Sequence, residues 1–264
     1  MPKQRLALQQ RIEDDLLADE HIIGGFYGGS IGTGSTDIYS DIDVRIVVSD
    51  DQYERYRSAK RERANGWGDV LFFEDSPWTN YSVAHYETFI KVDSFYYRKR
   101  DLVASVWLQD SKIVLDRDGF LHELVAESRT LRYEPSVEEV MVLQTKFLAH
   151  SHEVYRRARR GEWNYALSCL NQLRMIVVTA WYMDKGEQPN TLGDWAKYEG
   201  ERSLLDQRQL EVLAEWDGYR DEGDVMRKVR MIYGEFKTVH RSLCECVGVD
   251  EESEKMDRVM GMVL

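Results

Sequence analysis

Residues 41–48, Asp-Ile-Asp-Val-Arg-Ile-Val-Val, place the strongest constraint on what this chain can fold into. Ile42, Val44, Ile46 and Val48 alternate with Asp41, Asp43 and Arg45, the period of two that a β-strand needs, with one apolar and one charged face. The chain must therefore build a sheet that buries one side of this strand and carries two carboxylates side by side on the other. Their α-carbons would lie ~6.5–7 Å apart at ~3.3 Å per residue. Two like charges on a core strand are unfavourable unless a cation neutralises them. At that separation both can converge on one hard, oxygen-seeking ion such as Mg²⁺.

Acid-x-acid spacing alone means little in a chain with 47 acidic residues. It recurs at Asp116/Asp118, Glu215/Asp217, Glu222/Asp224 and Asp250/Glu252. Only the first pair sits in a strongly apolar strand just after a glycine-rich stretch, Gly28-Gly29-Ser30-Ile31-Gly32-Thr33-Gly34. That stretch is not a P-loop, because Ser35 stands where the phosphate-binding lysine is required. A dinucleotide fingerprint fails as well, with Asp37 in place of the last glycine. What Gly28, Gly29 and Ser30 can do is let backbone N–H groups and one hydroxyl approach a triphosphate closely. Asp93 lies in a second strand pattern, Phe89 to Tyr97. If that strand neighbours the first, three carboxylates gather, a set able to hold metal and to accept a proton from an attacking hydroxyl. The alternative is that Asp93 only pairs with a nearby Lys or Arg. Arg45 shares the face of Asp41 and Asp43, as a partner of the acids or as a phosphate contact.

The rest of the first half also reads as mixed α/β. Leu8, Ile12 and Leu16 recur at steps of four and predict a helix over 4–18. Strands are expected at 21–27, 69–73, 81–86, 88–97 and 112–115, and helices at 51–65, 101–108 and 120–128. Near Arg132–Pro135 the pattern changes. Ser136-Val-Glu-Glu139 is a capping box, and helices follow at 136–159, 162–184, 192–199, 203–216 and 223–246. The run Met175–Met183 is too short for the ~18 apolar residues of a membrane span and reads as a buried helix. The chain is thus α+β, a mixed sheet with flanking helices over 1–133 followed by a helical bundle over 134–264. A polar amphipathic N-terminus in place of an apolar signal core points to the cytoplasm.

Charge narrows the partners. The net charge of −12 opposes the clustered Lys and Arg of a protein that tracks a nucleic-acid backbone, and suits a cationic small molecule. The basic cluster Arg156–Arg160 sits at a helix end, where cations complement the dipole, and reads as a solvated terminus first and a phosphate site second. Cys169, Cys244 and Cys246 form no CxxC pair, and His150 and His152 point apart on a helix, so none of them makes a metal site.

Gly29-Ser30, followed about a dozen residues later by Ser40-Asp41-Ile42-Asp43, resembles the signature of the DNA polymerase beta-like nucleotidyltransferases. The length and the appended helices are similar to those of the bacterial aminoglycoside and lincosamide nucleotidyltransferases. The resemblance implies a nucleotidyltransferase fold in the first domain, with Mg²⁺ on Asp41, Asp43 and Asp93. It implies nucleotide phosphates against Gly29, Ser30 and Ser40, and Asp93 as metal ligand or base. The reaction it implies is transfer of AMP from ATP to a hydroxyl of a cationic antibiotic, with release of pyrophosphate. Lys146, on the first helix of the second domain, is the candidate phosphate contact there. Trp163, Trp181, Trp195 and Trp216 are candidate walls of an acceptor pocket, and Glu187, Asp194 and Glu199 candidate partners for ammonium groups. No nucleic acid and no membrane are expected as partners, while a homodimer is an assembly that such relatives use. Rival readings are a lincosamide, metabolite or protein acceptor, and a nucleotide-binding regulatory module without catalysis.

Overall fold

The computed structural model describes residues 2–264. The chain divides into two compact units, residues 1–131 and 132–264.

In the first unit the elements run α1 (Pro2–Ala18), β1 (Ile22–Tyr27), α2 (Gly29–Thr33), β2 (Ile42–Val48), α3 (Tyr53–Ser58), α4 (Lys60–Trp67), β3 (Val70–Asp75), β4 (Tyr81–Tyr86), β5 (Lys91–Arg98), β6 (Lys112–Asp116) and α5 (Phe120–Ser128). The six strands form one mixed sheet in the order β3-β4-β5-β2-β1-β6. Only β2 and β5 are parallel; the other neighbours are antiparallel. A parallel pair needs a long crossover, here supplied by α3, α4 and the β3–β4 hairpin.

Ile42, Val44 and Ile46 of β2, with Val92 and Tyr96 of β5, face a core closed by Leu8, Ile12 and Leu16 of α1 and Trp67 of α4. The steps of four in α1 put those three residues on one stripe, which is the face it buries. Some polar groups under this layer are paired: the Trp67 indole N–H and Arg63 both donate to Asp15. Lys60 is almost fully buried, in an ion pair with Asp75 at 2.6 Å while donating to the carbonyls of Thr79 and Tyr81. On the opposite face Phe26, Val47, Phe120 and Leu121 form a smaller core under α5.

The second unit consists of α6 (Val137–Arg159), α7 (Trp163–Asp184), α8 (Gln207–Ala214), α9 (Glu222–Val247) and α10 (Ser253–Val263). Residues 175–183 of α7 are all buried, so this helix has no solvent face along its last turns. Val140, Leu143, Phe147 and Val154 of α6 pack with Val229, Ile232 and Phe236 of α9 around it. The Ser136 hydroxyl accepts the Glu139 N–H at 3.2 Å, and the Glu139 carboxylate accepts the Ser136 N–H at 2.8 Å, the reciprocal box that fixes the start of α6. Ser136→Ala should destabilise this unit by about 1 kcal/mol, read as a lowered midpoint in chemical denaturation; an unchanged midpoint would show that the cap carries no weight.

Several expectations need correction. Residues 192–199 are turns, not a helix. There the Asp194 carboxylate takes the Ala196 N–H at 2.9 Å, and Asn190 donates to the Ala196 carbonyl at 2.6 Å. Such side-chain bonds compete with a helical ladder. Residues 101–108 hold only the tail of one single 3-10 turn (Lys99–Asp101) and a second (Val106–Leu108), because Asp101 folds back onto the Arg98 N–H. The helix expected over 51–65 is interrupted at Ala59. α2 and α10 were not foreseen, although Met256, Met260 and Val263 carry helical spacing in α10. No helix among the described residues is long and apolar enough to cross a membrane.

Candidate active site

The β2–β5 ladder sets Asp43 directly beside Asp93, and Arg45 beside Phe95. Asp41, one step before β2, comes level with Lys91, the first residue of β5. The period of two therefore puts Asp41, Asp43, Lys91, Asp93 and Arg45 on one face, while Ile42, Val44, Val92 and Tyr96 go to the core. Sequence spacing finds the first two acids. The third joins them only because β5 lies against β2 in this register.

Lys91 was not foreseen as part of the site. Its ammonium pairs with Asp41 Oδ2 at 2.8 Å and Asp93 Oδ2 at 3.0 Å. Position i−2 from Asp93 on a strand was the available signal, since it guarantees the same face. The pairing of Asp93 with a nearby lysine is thus present, but only through one oxygen. Asp93 Oδ1 is buried without a hydrogen-bond partner. Burial lowers the affinity of Lys91 for its proton, yet the hydrogen bonds to the two carboxylates outweigh it and push the ammonium above the usual lysine range. Burial, and then the charges of Asp41 and Asp93, push the Asp43 carboxyl upward against the opposing pull of Arg45 and Lys91. Burial likewise raises Asp93 in spite of Lys91.

The glycines answer to these charged groups. A methyl group on Gly29 would overlap the Asp43 carboxylate, and one on Gly28 would overlap the Arg45 guanidinium. Gly29 also has φ +54°, in the left-handed region that favours glycine. The Gly28 N–H donates to the Asp43 carbonyl at 3.0 Å, which ties the turn to the acid strand. Next in the chain, the buried Ser30 hydroxyl has no partner. Arg45 stacks against Phe26 and Phe95, with ring centroids 5.9 and 5.2 Å away, and its Nη1 is buried without a partner. Ser30, Arg45 and Asp93 thus leave both donors and an acceptor uncommitted around Asp43.

Ser40 has a different setting. Its hydroxyl donates to the Asp37 carboxylate and accepts the Asp37 N–H, both at 2.9 Å, closing the turn that leads into Asp41. Lys146 is exposed on α6 in the second unit. Trp181 and Trp216 stack on each other at 5.6 Å inside the helical core, so they are core residues and not pocket walls. Trp163 and Trp195 are partly buried against the same core. Glu187 and Glu199 are exposed, and Asp194 is engaged in its turn.

Among the described residues no three carboxylate, imidazole or thiol groups are arranged to hold a metal ion. The donor chemistry at Asp41, Asp43 and Asp93 nevertheless fits a divalent cation. The three groups are hard oxygen donors on neighbouring positions, two of them raised by burial and then by neighbouring carboxylate charge, and Asp93 Oδ1 is an orphaned acceptor.

No protein-family model matches the chain, and no curated protein matches it. Among solved structures it is similar to an aminoglycoside 6-adenyltransferase from Bacillus subtilis, at 12% identity and a TM-score of 0.44 over 96% of this chain and 98% of that one. It is also similar to a nucleotidyltransferase-like protein from Exiguobacterium sibiricum 255-15, at 12% identity and a TM-score of 0.44 over 92% of this chain and 78% of that one.

Proposed function

We propose that this protein is a metal-dependent nucleotidyltransferase that moves AMP from ATP to a hydroxyl of a small cationic acceptor, an aminoglycoside being the class that fits best. The observation that carries the reading is the in-register pair Asp43–Asp93 with Asp41 alongside, pressed against the Gly28–Gly29–Ser30 turn. Asp41, Asp43 and Asp93 would hold Mg²⁺, which supplies neutralisation of the triphosphate charge when bound. The free Ser30 hydroxyl and the backbone of Gly29 are donors for phosphate oxygens. Arg45 Nη1 adds a fixed positive charge close by.

In the transfer, the acceptor oxygen forms a bond to the α-phosphorus as the bond from that phosphorus to the α–β bridging oxygen breaks. The electron pair leaves on pyrophosphate, and the hydroxyl proton goes to the Asp93 carboxylate. Lys146 and the exposed acids of the second unit, Glu187 and Glu199, are the proposed contacts to phosphate and to ammonium groups there. The net charge of −12 supports a cationic acceptor over a polyanion.

The test is pyrophosphate release from ATP by the intact chain, across a panel of aminoglycosides and lincosamides, with mass spectrometry of the drug. Release that needs one drug class, stops on chelation of Mg²⁺ and adds an adenylyl group to the drug is the expected result. An absence of both Mg²⁺-dependent ATP binding and turnover with any acceptor would overturn the reading.

A further inference from the structure

Lys91 is the one charged group in the site for which nucleotidyl transfer, as proposed, has no use. Its place is fixed by the backbone: it starts β5, precedes Asp93 by two residues and comes level with Asp41. The carboxylates it holds, through Asp41 Oδ2 and Asp93 Oδ2 at 2.8 and 3.0 Å, are two of the three that would hold a divalent ion. An ammonium and a divalent cation compete for these carboxylates, because each positive charge weakens the hold of the other. Room exists for the amine to leave. A cavity of about 120 Å³ beside it is lined by Arg5, Tyr39, Asp41 and Phe89 as well as Lys91, and the lysine side chain is 37% exposed.

We propose that Lys91 is a positioning residue that competes with the metal. It offsets the repulsion between Asp41 and Asp93 while the sheet forms, and it yields those carboxylates when a divalent cation arrives, so that it sets how tightly the cation binds. The inference rests on reading the site as metal-dependent. Lys91 is thus a built-in rival that keeps metal affinity low enough for the ion to enter with the nucleotide's charge, not ahead of it. A purely structural lysine would contribute to stability and leave metal affinity alone.

The experiment is Mn²⁺ binding to the intact protein, followed by the electron paramagnetic resonance of free Mn²⁺, in the wild type, Lys91→Met and Lys91→Arg. Lys91→Met should bind about tenfold more tightly, the order expected when charge-assisted hydrogen bonds to partly exposed carboxylates no longer oppose the ion. Lys91→Arg keeps the competing charge and should stay within about threefold of the wild type. Equal affinity in all three proteins, or weaker binding by Lys91→Met, overturns the competition while leaving the metal site standing. If no protein binds Mn²⁺, the metal-dependent reading fails and this inference with it. A measurement on the wild type alone guards against a variant that does not fold. Acetylation of Lys91, read by peptide mass spectrometry, should quicken several-fold when Mn²⁺ is added, with Lys255 of the second unit as the unchanged reference. An unchanged Lys91 rate at saturating Mn²⁺ overturns the proposal.

Discussion

Asp43→Asn is expected to reduce acceptor-dependent pyrophosphate release by about 10³-fold or more while leaving the protein folded and more heat-stable at neutral pH. The loss follows from the position of Asp43 between Asp93 across the ladder and Gly29 on the turn. Among the described residues no other carboxylate is level with Asp93 on the ladder, and none lies nearer to the open side of the Gly29 α-carbon. The gain in stability follows from the same position. Asp43 makes no ion pair among the described residues, and burial with two neighbouring carboxylates raises its pKa. A carboxyl raised in the folded state is stabilising while protonated, and that contribution is lost as pH climbs through its folded pKa. At neutral pH the wild type therefore bears a charge that asparagine does not. The advantage of the variant should be full at pH 7–8 and shrink as the pH is lowered into the acid range where Asp43 takes up its proton. Thermal midpoints of both proteins along a pH series, without metal, give the comparison. A variant that turns over normally would remove Asp43 from the proposed metal site. A variant less stable at neutral pH would show that the carboxylate is held by interactions stronger than the repulsion.

The second large effect separates two glycines three residues apart. Gly29→Ala should eliminate turnover at a cost of only about 1–2 kcal/mol in stability, whereas Gly32→Ala should cost about 2–4 kcal/mol. The difference lies in what each new methyl group would meet. At Gly29 it is the end of the Asp43 side chain, which can rotate away, so the main structural cost is the left-handed backbone at φ +54°. The group that moves is the carboxylate the site depends on. At Gly32 the obstacle is the Asp110 carbonyl at 2.5 Å, with the Tyr27 carbonyl at 3.1 Å. Backbone on both sides cannot turn aside, and the strain must spread through α2 and the end of β1. Denaturation midpoints and turnover measured on both variants decide the matter. Equal activity losses at equal stability losses would mean that Gly29 serves the fold alone.

Most of this architecture is legible in the sequence wherever side-chain periodicity and burial agree. Tyr81–Tyr86 and Phe120–Ser128 begin and end where their patterns do. The change to helices after Pro135 follows from one capping box. Failures come where side chains bond to nearby backbone. Asp194 and Asn190 fold 190–198 into turns, and Asp101 stops a helix that its apolar neighbours suggested. In the candidate site, Asp41 and Asp43 are visible from spacing because both lie on one strand. The place of Lys91 two residues before Asp93 is a local signal, but its pairing with Asp41 depends on which strand lies next to β5, which no local pattern encodes. Arg45 is visible as a charge on the right face, but its stacking between Phe26 and Phe95 depends on the two flanking strands.

The parallel pairing of β2 with β5 has a consequence for how the sheet finds its alignment. A slip of one residue would turn Lys91, Asp93 and Phe95 toward the core and send Val92, Ser94 and Tyr96 out to water. Burying an amine and a carboxylate away from Asp41 costs several kcal/mol, and the apolar contacts of Val92 and Tyr96 with α1 and α4 would be lost as well. The charges that strain the native alignment therefore penalise its nearest competitor far more heavily. Any slip by an odd number of residues would be punished by the same acids that the proposed chemistry uses, so against such slips the alignment of the central strands and the site are guarded together.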